Sequence, residues 1–543
     1  MRQKPLLPKA APVAVLLLLA AGCGPGGTLA VHLRPEVERP NPAAVLFLCD
    51  GLAVDRLREG CRDRWLPNIR ECFVEAGMRV EHAVAAVPPV TYAILTTYAT
   101  GVTPARHGVI ANEWFDRGLR LYREYGVIKH YRDVNGDFWV PTIYERMRPK
   151  VSLSIQNAIH RGVTKNVANW AQSGVRWFFH DYTAVDKLTA TTLEYVARWA
   201  NRNRVWPDLL VCYFPGMDSV GHAFGVDSER YRWAMEHLDY QLGRVCDWLE
   251  AEGLLKTTYL VLVSDHGYVP VRDDGRIDLL TSLRRQMGRR VTDCPMQGAS
   301  FEDLYRHFER FDTVLATSGA RFAAIHFRGE LGWDDLLTPE AIGALLESPP
   351  AGQRLWNVPG VDLVAYAAAE NEVELRSSRG AARVVERVGP DGPEYRYVPL
   401  PDDVLGYLGD GELAEFVAAG FHSSRDWLGA TREQTYPDVV PHLVPLLGAR
   451  RSGDVVLFAA HGFSFGREKG GHGGIHRDDM RIPMMFAGPG IEAGSVLDVA
   501  RAVDLVPTLL QLLGCELPDD GSLEGVSLFP ALVSQPLAWT EPP

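Results

Sequence analysis

The chain has 543 residues, of which 46% are hydrophobic and 23% charged, the composition of a globular protein with a sizeable core. A net charge of −12 argues against a dedicated binder of nucleic acid or of anionic membrane, and no nucleic-acid-binding surface is expected. It leaves open an enzyme that holds an anionic substrate through metal ions.

The first 22 residues read as an export signal. Arg2, Lys4 and Lys9 form a positive start, and the apolar run Ala10–Ala20 is too short to span a bilayer. Leu19-Ala20-Ala21-Gly22-Cys23 resembles a bacterial lipobox, which predicts cleavage before Cys23 and a lipid on its thiol. The expectation is an exported protein anchored to a membrane, periplasmic or at the cell surface. Residues 23–42, rich in Pro and Gly, read as a tether. Of the later cysteines, Cys61 and Cys72 are close enough in sequence for a disulfide in an oxidising compartment. None has Cys-x-x-Cys spacing, so a cysteine metal site is not expected.

Short aliphatic runs follow in chain order: Ala44–Cys49, Asp208–Phe214, Thr258–Ser264, Phe322–Phe327, Asp454–Ala460 and Ile482–Ala487. Most lack alternation, which predicts strands buried on both faces, as in a parallel sheet covered by helices. Between them, Asp227–Glu252 repeats Tyr231, Ala234, Leu238, Leu242, Val245 and Leu249 at helical spacing before Gly253, and Val503–Leu513 is a second helix closed by Gly514. Residues 271–451 differ in being charged and rich in Gly and Pro. They predict a hairpin, Glu372–Arg376 with Ala382–Val388, and a mixed helical stretch from Glu412 to Leu447. The expected organisation is a catalytic core in two parts, 43–270 and 452–535, around an insertion or cap at 271–451.

Chemistry-bearing residues cluster at or just beyond strand ends, where open α/β sheets place their ligands. They are Asp50-Gly51, Asp218 through His222, Asp265-His266-Gly267, and His472 within Gly470–Gly474. Singly, each is what an ordinary loop shows. Together, three Asp and three His form the mixed oxygen and nitrogen set that Zn²⁺ accepts. Crowding them without a cation is costly, because like charges repel and buried ones are desolvated. Thr91 stands at the start of an apolar helix, where a hydroxyl either caps the helix or meets a phosphoryl group.

The order Asp-Gly, Thr, Asp-x-x-x-His, Asp-His-Gly and late His-Gly resembles the alkaline phosphatase superfamily, and within it the type I phosphodiesterase/nucleotide pyrophosphatase family. The resemblance covers residues 44–270 and 454–529. It implies an alkaline-phosphatase-like three-layer α/β sandwich with a mostly parallel central sheet and an inserted cap. It also implies two divalent ions, Zn²⁺ in most members. Asp218, His222 and His472 would hold one; Asp50, Asp265 and His266 would hold the other, with Thr91 counted beside that metal and bridging to substrate. His461 and His476 are the competing candidates for the late histidine. Thr91 would be the nucleophile, forming a phospho-threonine, and Asn112 would contact a phosphate oxygen; Arg106 and His107 read as structural. The monoesterase branch carries two cations in a Ser-x-Lys-x-Arg-like element. Its nearest match here, Ser154-Ile155-Gln156-Asn157-Ala158, has neither, which favours small diester or pyrophosphate substrates. Arg161 and Lys165 lie close enough in sequence to supply charge instead. A phosphomonoesterase, and an envelope lipoprotein that keeps the fold without turnover, stand as the alternatives.

Overall fold

The computed structural model describes residues 29–533, apart from 127–132, 169–172, 175, 177–180, 295, 297–298 and 350–351. Cys23 lies outside the described residues.

The strand Ala43–Cys49 is buried along its whole length and organises the larger sheet. Its odd residues Val45, Phe47 and Cys49 pack in one core with Leu57, Leu193, Tyr231 and Leu238. Its even residues Ala44, Leu46 and Leu48 pack in another with Ile94, Leu95, Leu505 and Leu509. Side chains of a strand alternate faces, so an unbroken apolar run requires apolar cover on both sides. The cover comes from Val54–Arg62, Thr183–Asn203 and Glu229–Ala251 on one face, and from Thr91–Thr100 and Leu505–Leu512 on the other. The result is three layers. In Glu229–Ala251 the Ser228 hydroxyl accepts the Tyr231 N–H as cap, and Tyr231, Ala234, Leu238, Leu242, Val245 and Leu249 are all buried, as their spacing predicts.

The sheet runs in the order Ser495–Arg501, Gly77–Val84, Met484–Ala487, Thr258–Val263, Ala43–Cys49, Leu209–Phe214, Ser152–Ile155 and Lys165–Val167. Pairing is parallel except around Met484–Ala487, which runs against both neighbours. Consequently the strands Ala43–Cys49, Leu209–Phe214 and Thr258–Val263 point their C-terminal ends at one edge of the sandwich.

A second sheet corrects two strand assignments. Phe322–Phe327 and Val455–Ala459 do not join the parallel sheet; they pair antiparallel with each other, and Val455–Ala459 pairs antiparallel with Val361–Ala369. This nine-stranded sheet is also covered on both faces: Phe322, Ala324, Val456 and Phe458 belong to one core, Ala323, Ile325, Val455 and Leu457 to another. Covering both faces erases the alternation that marks an antiparallel strand, which is why sequence pattern could not separate the two sheets. The predicted hairpin is present as Glu372–Ser377 and Gly380–Gly389, extended by Gly392–Leu400. The helical stretch resolves into Gly411–Ala419, Ser424–Thr431 and Val440–Gly448.

Two further expectations are revised. From Leu29 onward the expected tether packs on the protein: Leu29, Leu33 and Val37 are buried, and the Leu33 N–H donates to Glu252 Oε2 at 2.8 Å. Cys61 and Cys72 are both free thiols, and Cys72 instead hydrogen-bonds Cys246. Among the described residues no helix is long and apolar enough to cross a membrane.

The sheets are tied together by a fully buried ion pair. Arg321 Nε donates to Asp479 Oδ1 at 2.8 Å and Nη2 to Oδ2 at 3.1 Å, while Nη1 donates to the carbonyls of Ala460 and Phe463. Asp479 in turn accepts the Gly474 N–H at 3.0 Å, and its carbonyl accepts the Gly267 N–H at 2.9 Å. Arg321→Leu leaves the buried Asp479 carboxylate without a counter-charge and is expected to cost about 3–5 kcal/mol of stability. Urea unfolding of the two proteins measures it, and a loss within error of zero contradicts the pairing.

Candidate functional site

Three carboxylates and three imidazoles meet at the C-terminal edge of the parallel sheet. Asp50 directly follows Ala43–Cys49, and Asp265 and His266 follow Thr258–Val263. After Leu209–Phe214 the chain enters the helix Gly216–Phe224, which places Asp218 and His222 one turn apart on one face. Gly51, at φ 67°, passes so close to Asp218 that an added Cβ would lie 2.9 Å from its Cα. His472 arrives from the far end of the chain, held by its N–H to Gly319 O at 2.7 Å and by the pairing of Gly470–Gly471 with Val269–Pro270.

Each imidazole turns its Nδ1 to a backbone carbonyl: His222 to Gly470 at 3.1 Å, His266 to Gly267 at 2.9 Å, and His472 to Pro89 at 3.0 Å. A carbonyl accepts only, so Nδ1 carries the hydrogen and Nε2 faces inward. Inward lie the carboxylates. His222 Nε2 is 3.3 Å and His472 Nε2 3.6 Å from Asp218 Oδ1; His266 Nε2 is 3.3 Å from Asp50 Oδ1 and 3.4 Å from Asp265 Oδ2. The rings of His266 and His472 stack with centroids 3.3 Å apart.

Asp50 and Asp265 each have one oxygen held by the protein, and all three carboxylates have one that nothing donates to. Asp50 Oδ2 accepts the Tyr213 hydroxyl, and Asp265 Oδ1 accepts the N–H groups of Gly51 and His266, both at 3.1 Å. Asp50 Oδ1, Asp218 Oδ1 and Asp265 Oδ2 are buried without a hydrogen-bond partner. Burial, with Asp218 adding to it, pushes Asp50 well above the usual carboxylate range; burial and Asp50 do the same to Asp265. Burial opposes charge on His222, yet the neighbouring Asp218 carboxylate lifts it to about 9. Burial and His266 hold His472 well below the ordinary histidine range. Divalent cations fit this donor set, because they satisfy the three orphaned oxygens and the inward Nε2 atoms together. Two overlapping groups have the spacing to hold one each: Asp218, His222 and His472, and Asp50, Asp218 and His266. Asp265 stands against the second through His266.

Thr91 opens the helix Thr91–Thr100, with Val90 rather than Thr91 in the cap position, and its side chain makes no capping bond. Its Oγ1 lies 3.4 Å from His266 Nε2. Asn112 Oδ1 accepts the Tyr92 N–H at 2.8 Å, fixing the amide so that its NH₂ is turned the other way. Thr91, Asn112, Asp218, His222 and His472 line one cavity of about 310 Å³. Arg106 and His107 lie outside its lining: Arg106 donates to Gly521 O, and His107 is buried beside Ala93 O. Arg161 is engaged with Phe138 O and Glu145, away from the cavity. His461 and His476 do not approach Asp218.

Sequence reading missed the other cavity wall. Thr317, Gly319, Ala320, Gly466 and Glu468 come from the second sheet and its loops, and Glu113 from beside Asn112. Burial, opposed by the Tyr122 hydroxyl and aided by nearby acids including Glu468, pushes Glu113 up to about 8. Tyr213, inside an apolar strand, and Tyr268, whose hydroxyl donates to Asp218 O at 3.0 Å, were likewise unread. The only signal for Tyr213 was a polar tip in a buried strand; Glu468 had none.

The family model described as type I phosphodiesterase/nucleotide pyrophosphatase matches residues 44–330, just over half of the chain. The chain belongs to this family. Among relatives, it is 25% identical over 237 residues to a pyrophosphatase/phosphodiesterase of Schizosaccharomyces pombe, covering 42% of this chain and 45% of that protein. It is 22% identical over 247 residues to human bis(5′-adenosyl)-triphosphatase ENPP4, covering 44% of this chain and 50% of that one. The matched region thus spans half or less of these curated relatives. Murine ectonucleotide pyrophosphatase/phosphodiesterase 5 superposes with a TM-score of 0.52 at 17% identity, covering 88% of this chain and 97% of that one. An inactive threonine-to-alanine variant of the mouse protein, in complex with AMP, gives 0.51 at 16%. The fold is alkaline-phosphatase-like, with the expected mostly parallel sheet between helices.

Tyr213→Phe removes the donor to Asp50 Oδ2 and is expected to weaken divalent-ion binding about 10–100-fold. Competition with a chromogenic chelator reads this directly, and unaltered affinity would remove Tyr213 from the site.

Proposed function

We propose that this protein hydrolyses phosphodiesters through a covalent phosphoryl group on Thr91. The observation that carries the reading is the convergence of three orphaned carboxylate oxygens and three inward Nε2 atoms beside the Thr91 hydroxyl, with Thr91, Asp218, His222 and His472 opening onto one cavity. Asp218, His222 and His472 would hold one divalent ion and Asp50, Asp265 and His266 a second; the nitrogen and oxygen donors suit Zn²⁺. When bound, such ions neutralise phosphate charge and lower the pKa of an adjacent hydroxyl. Thr91 Oγ1 gives its proton to water and bonds to phosphorus, the bond to the leaving oxygen breaks, and that oxygen takes a proton from water. Water then cleaves the Thr91–phosphate ester and restores the hydroxyl. The Thr91 N–H, first in its helix, has no intrahelical acceptor and would meet the phosphoryl group, and the Asn112 NH₂ would donate from the side. The names of the relatives, and the inactive mouse variant altered at a threonine, support this reading.

Diester preference follows from the cavity wall. Among the described residues lining it there is no lysine or arginine, and Glu468 adds a negative charge. A phosphomonoester brings one more negative charge than a diester, with no side-chain cation of the wall to meet it.

Thr91→Ala is expected to lower turnover of bis-p-nitrophenyl phosphate by several orders of magnitude while retaining the wild-type zinc content, because the six metal-facing side chains do not depend on its hydroxyl. The wild type should turn over the diester faster than p-nitrophenyl phosphate and lose activity to chelators. Full activity of Thr91→Ala, or of the metal-stripped enzyme, overturns the reading; a strong monoester preference overturns the substrate class.

We also propose that the chain is exported and anchored by a lipid on Cys23, as its lipobox-like context suggests. Cys23→Ser should move the protein out of the membrane fraction or leave the precursor uncleaved. Normal processing with membrane retention contradicts it.

A further inference from the structure

We propose that the protein carries a third divalent transition-metal site, formed by His461, His476 and Asp478 and distinct from the catalytic cluster. His461 Nε2 lies 3.2 Å and His476 Nδ1 3.6 Å from Asp478 Oδ2, and one donor atom from each of the three residues lies within 4.8 Å of the others. A tetrahedral ion with ligands at about 2.0–2.1 Å holds those ligands about 3.3 Å apart. The spacing repeats that of the catalytic group, where two imidazoles stand 3.3 and 3.6 Å from Asp218 Oδ1. Two imidazoles sharing one carboxylate oxygen are more than an acidic surface cluster: nitrogen donors select transition metals over Ca²⁺ or Mg²⁺.

The surroundings suit an ion. Arg481 Nη2 stands 3.7 Å from Asp478 Oδ1 and 2.9 Å from Asp55, so the nearby cation sits on the other carboxylate oxygen and leaves Oδ2 to the imidazoles. His476 Nδ1 also accepts the Asp478 N–H at 3.2 Å, a long bond capping a four-residue helix, which a cation can displace. A cavity of about 270 Å³, lined in part by Asp55, Asp227, His461 and Asp478, opens beside the cluster and gives water the remaining coordination position.

The place in the fold indicates what an ion there does. His461 follows the central strand Val455–Ala459 of the second sheet. His476 and Asp478 belong to the segment that leaves His472, and the next residue, Asp479, holds Gly267 beside His266 through its carbonyl. An ion joining these segments braces the loop that delivers His472 and holds the backbone beside His266, without touching substrate.

The test is zinc content of metal-stripped full-length protein, reloaded with Zn²⁺ and passed through a desalting column. The wild type should retain one more zinc per chain than His461→Ala or His476→Ala, with diester turnover in both variants close to wild type. In Asp218→Asn, where one catalytic ion has lost a ligand, two zincs should remain, and adding His461→Ala should leave one. Zinc should also raise the melting temperature of Asp218→Asn by more than that of the double variant. Equal zinc content in wild type, His461→Ala and His476→Ala overturns the proposal. Failure of the catalytic assignment looks different: Asp218→Asn would then keep the full wild-type complement.

Discussion

Three buried carboxylate oxygens that no protein group donates to, Asp50 Oδ1, Asp218 Oδ1 and Asp265 Oδ2, set the condition the rest of this molecule meets. An orphaned charged oxygen in a closed interior costs several kcal/mol, and three together cost more because they repel. A fold keeps such an arrangement only when a counter-charge enters it. The protein invests in holding the geometry: Tyr213 and two backbone N–H groups take the outer oxygens, and three carbonyls fix the imidazole tautomers. These outer contacts orient the inner ones, as around metal sites generally.

The parallel sheet explains why the carboxylates can meet at all. Parallel neighbours end at the same edge, so Asp50, Asp218 and Asp265, far apart in the chain, become adjacent once Ala43–Cys49 lies between Leu209–Phe214 and Thr258–Val263. His472 needs a different device. It reaches the cluster from a loop between the sheets, and that loop is clamped by the buried Arg321–Asp479 pair and by the Gly319 carbonyl. Breaking a buried pair leaves an uncompensated charge, so the clamp has a sharply defined geometry. Residues of the second sheet and its loops therefore build part of the cavity wall.

On the proposed reading, that wall would also shape which esters are accepted. The sheet edge contributes the metal-facing groups, common to any phosphoryl chemistry on this scaffold, while Thr317, Gly319 and Glu468 come from the second sheet and its loops. On that reading, discrimination between substrates would reside in segments whose sequence carries no general signature, apart from the sheet edge that holds the metal-facing groups.

Much of this was legible in the amino-acid sequence alone. Apolar runs bounded by glycine and the 3.6-residue spacing of Tyr231 to Leu249 determined the elements, because local periodicity reflects which faces are buried. Asp-Gly, Asp-x-x-x-His and Asp-His-Gly at strand ends marked the cluster only as a set, since each alone is an ordinary loop feature but three Asp and three His gathered together are costly without a cation. Tertiary structure decided the rest. Only three-dimensional pairing assigned Phe322–Phe327 and Val455–Ala459 to a second, antiparallel sheet, because burial on both faces removes the alternation that would reveal direction. Only packing brought Leu29, Leu33 and Val37 onto the core and set Cys72 against Cys246 in place of Cys61. It alone brought Glu468 to the cavity, and His461 to Asp478. Local pattern records what each residue buries; which distant residue it meets depends on chain crossings that leave no trace in sequence spacing.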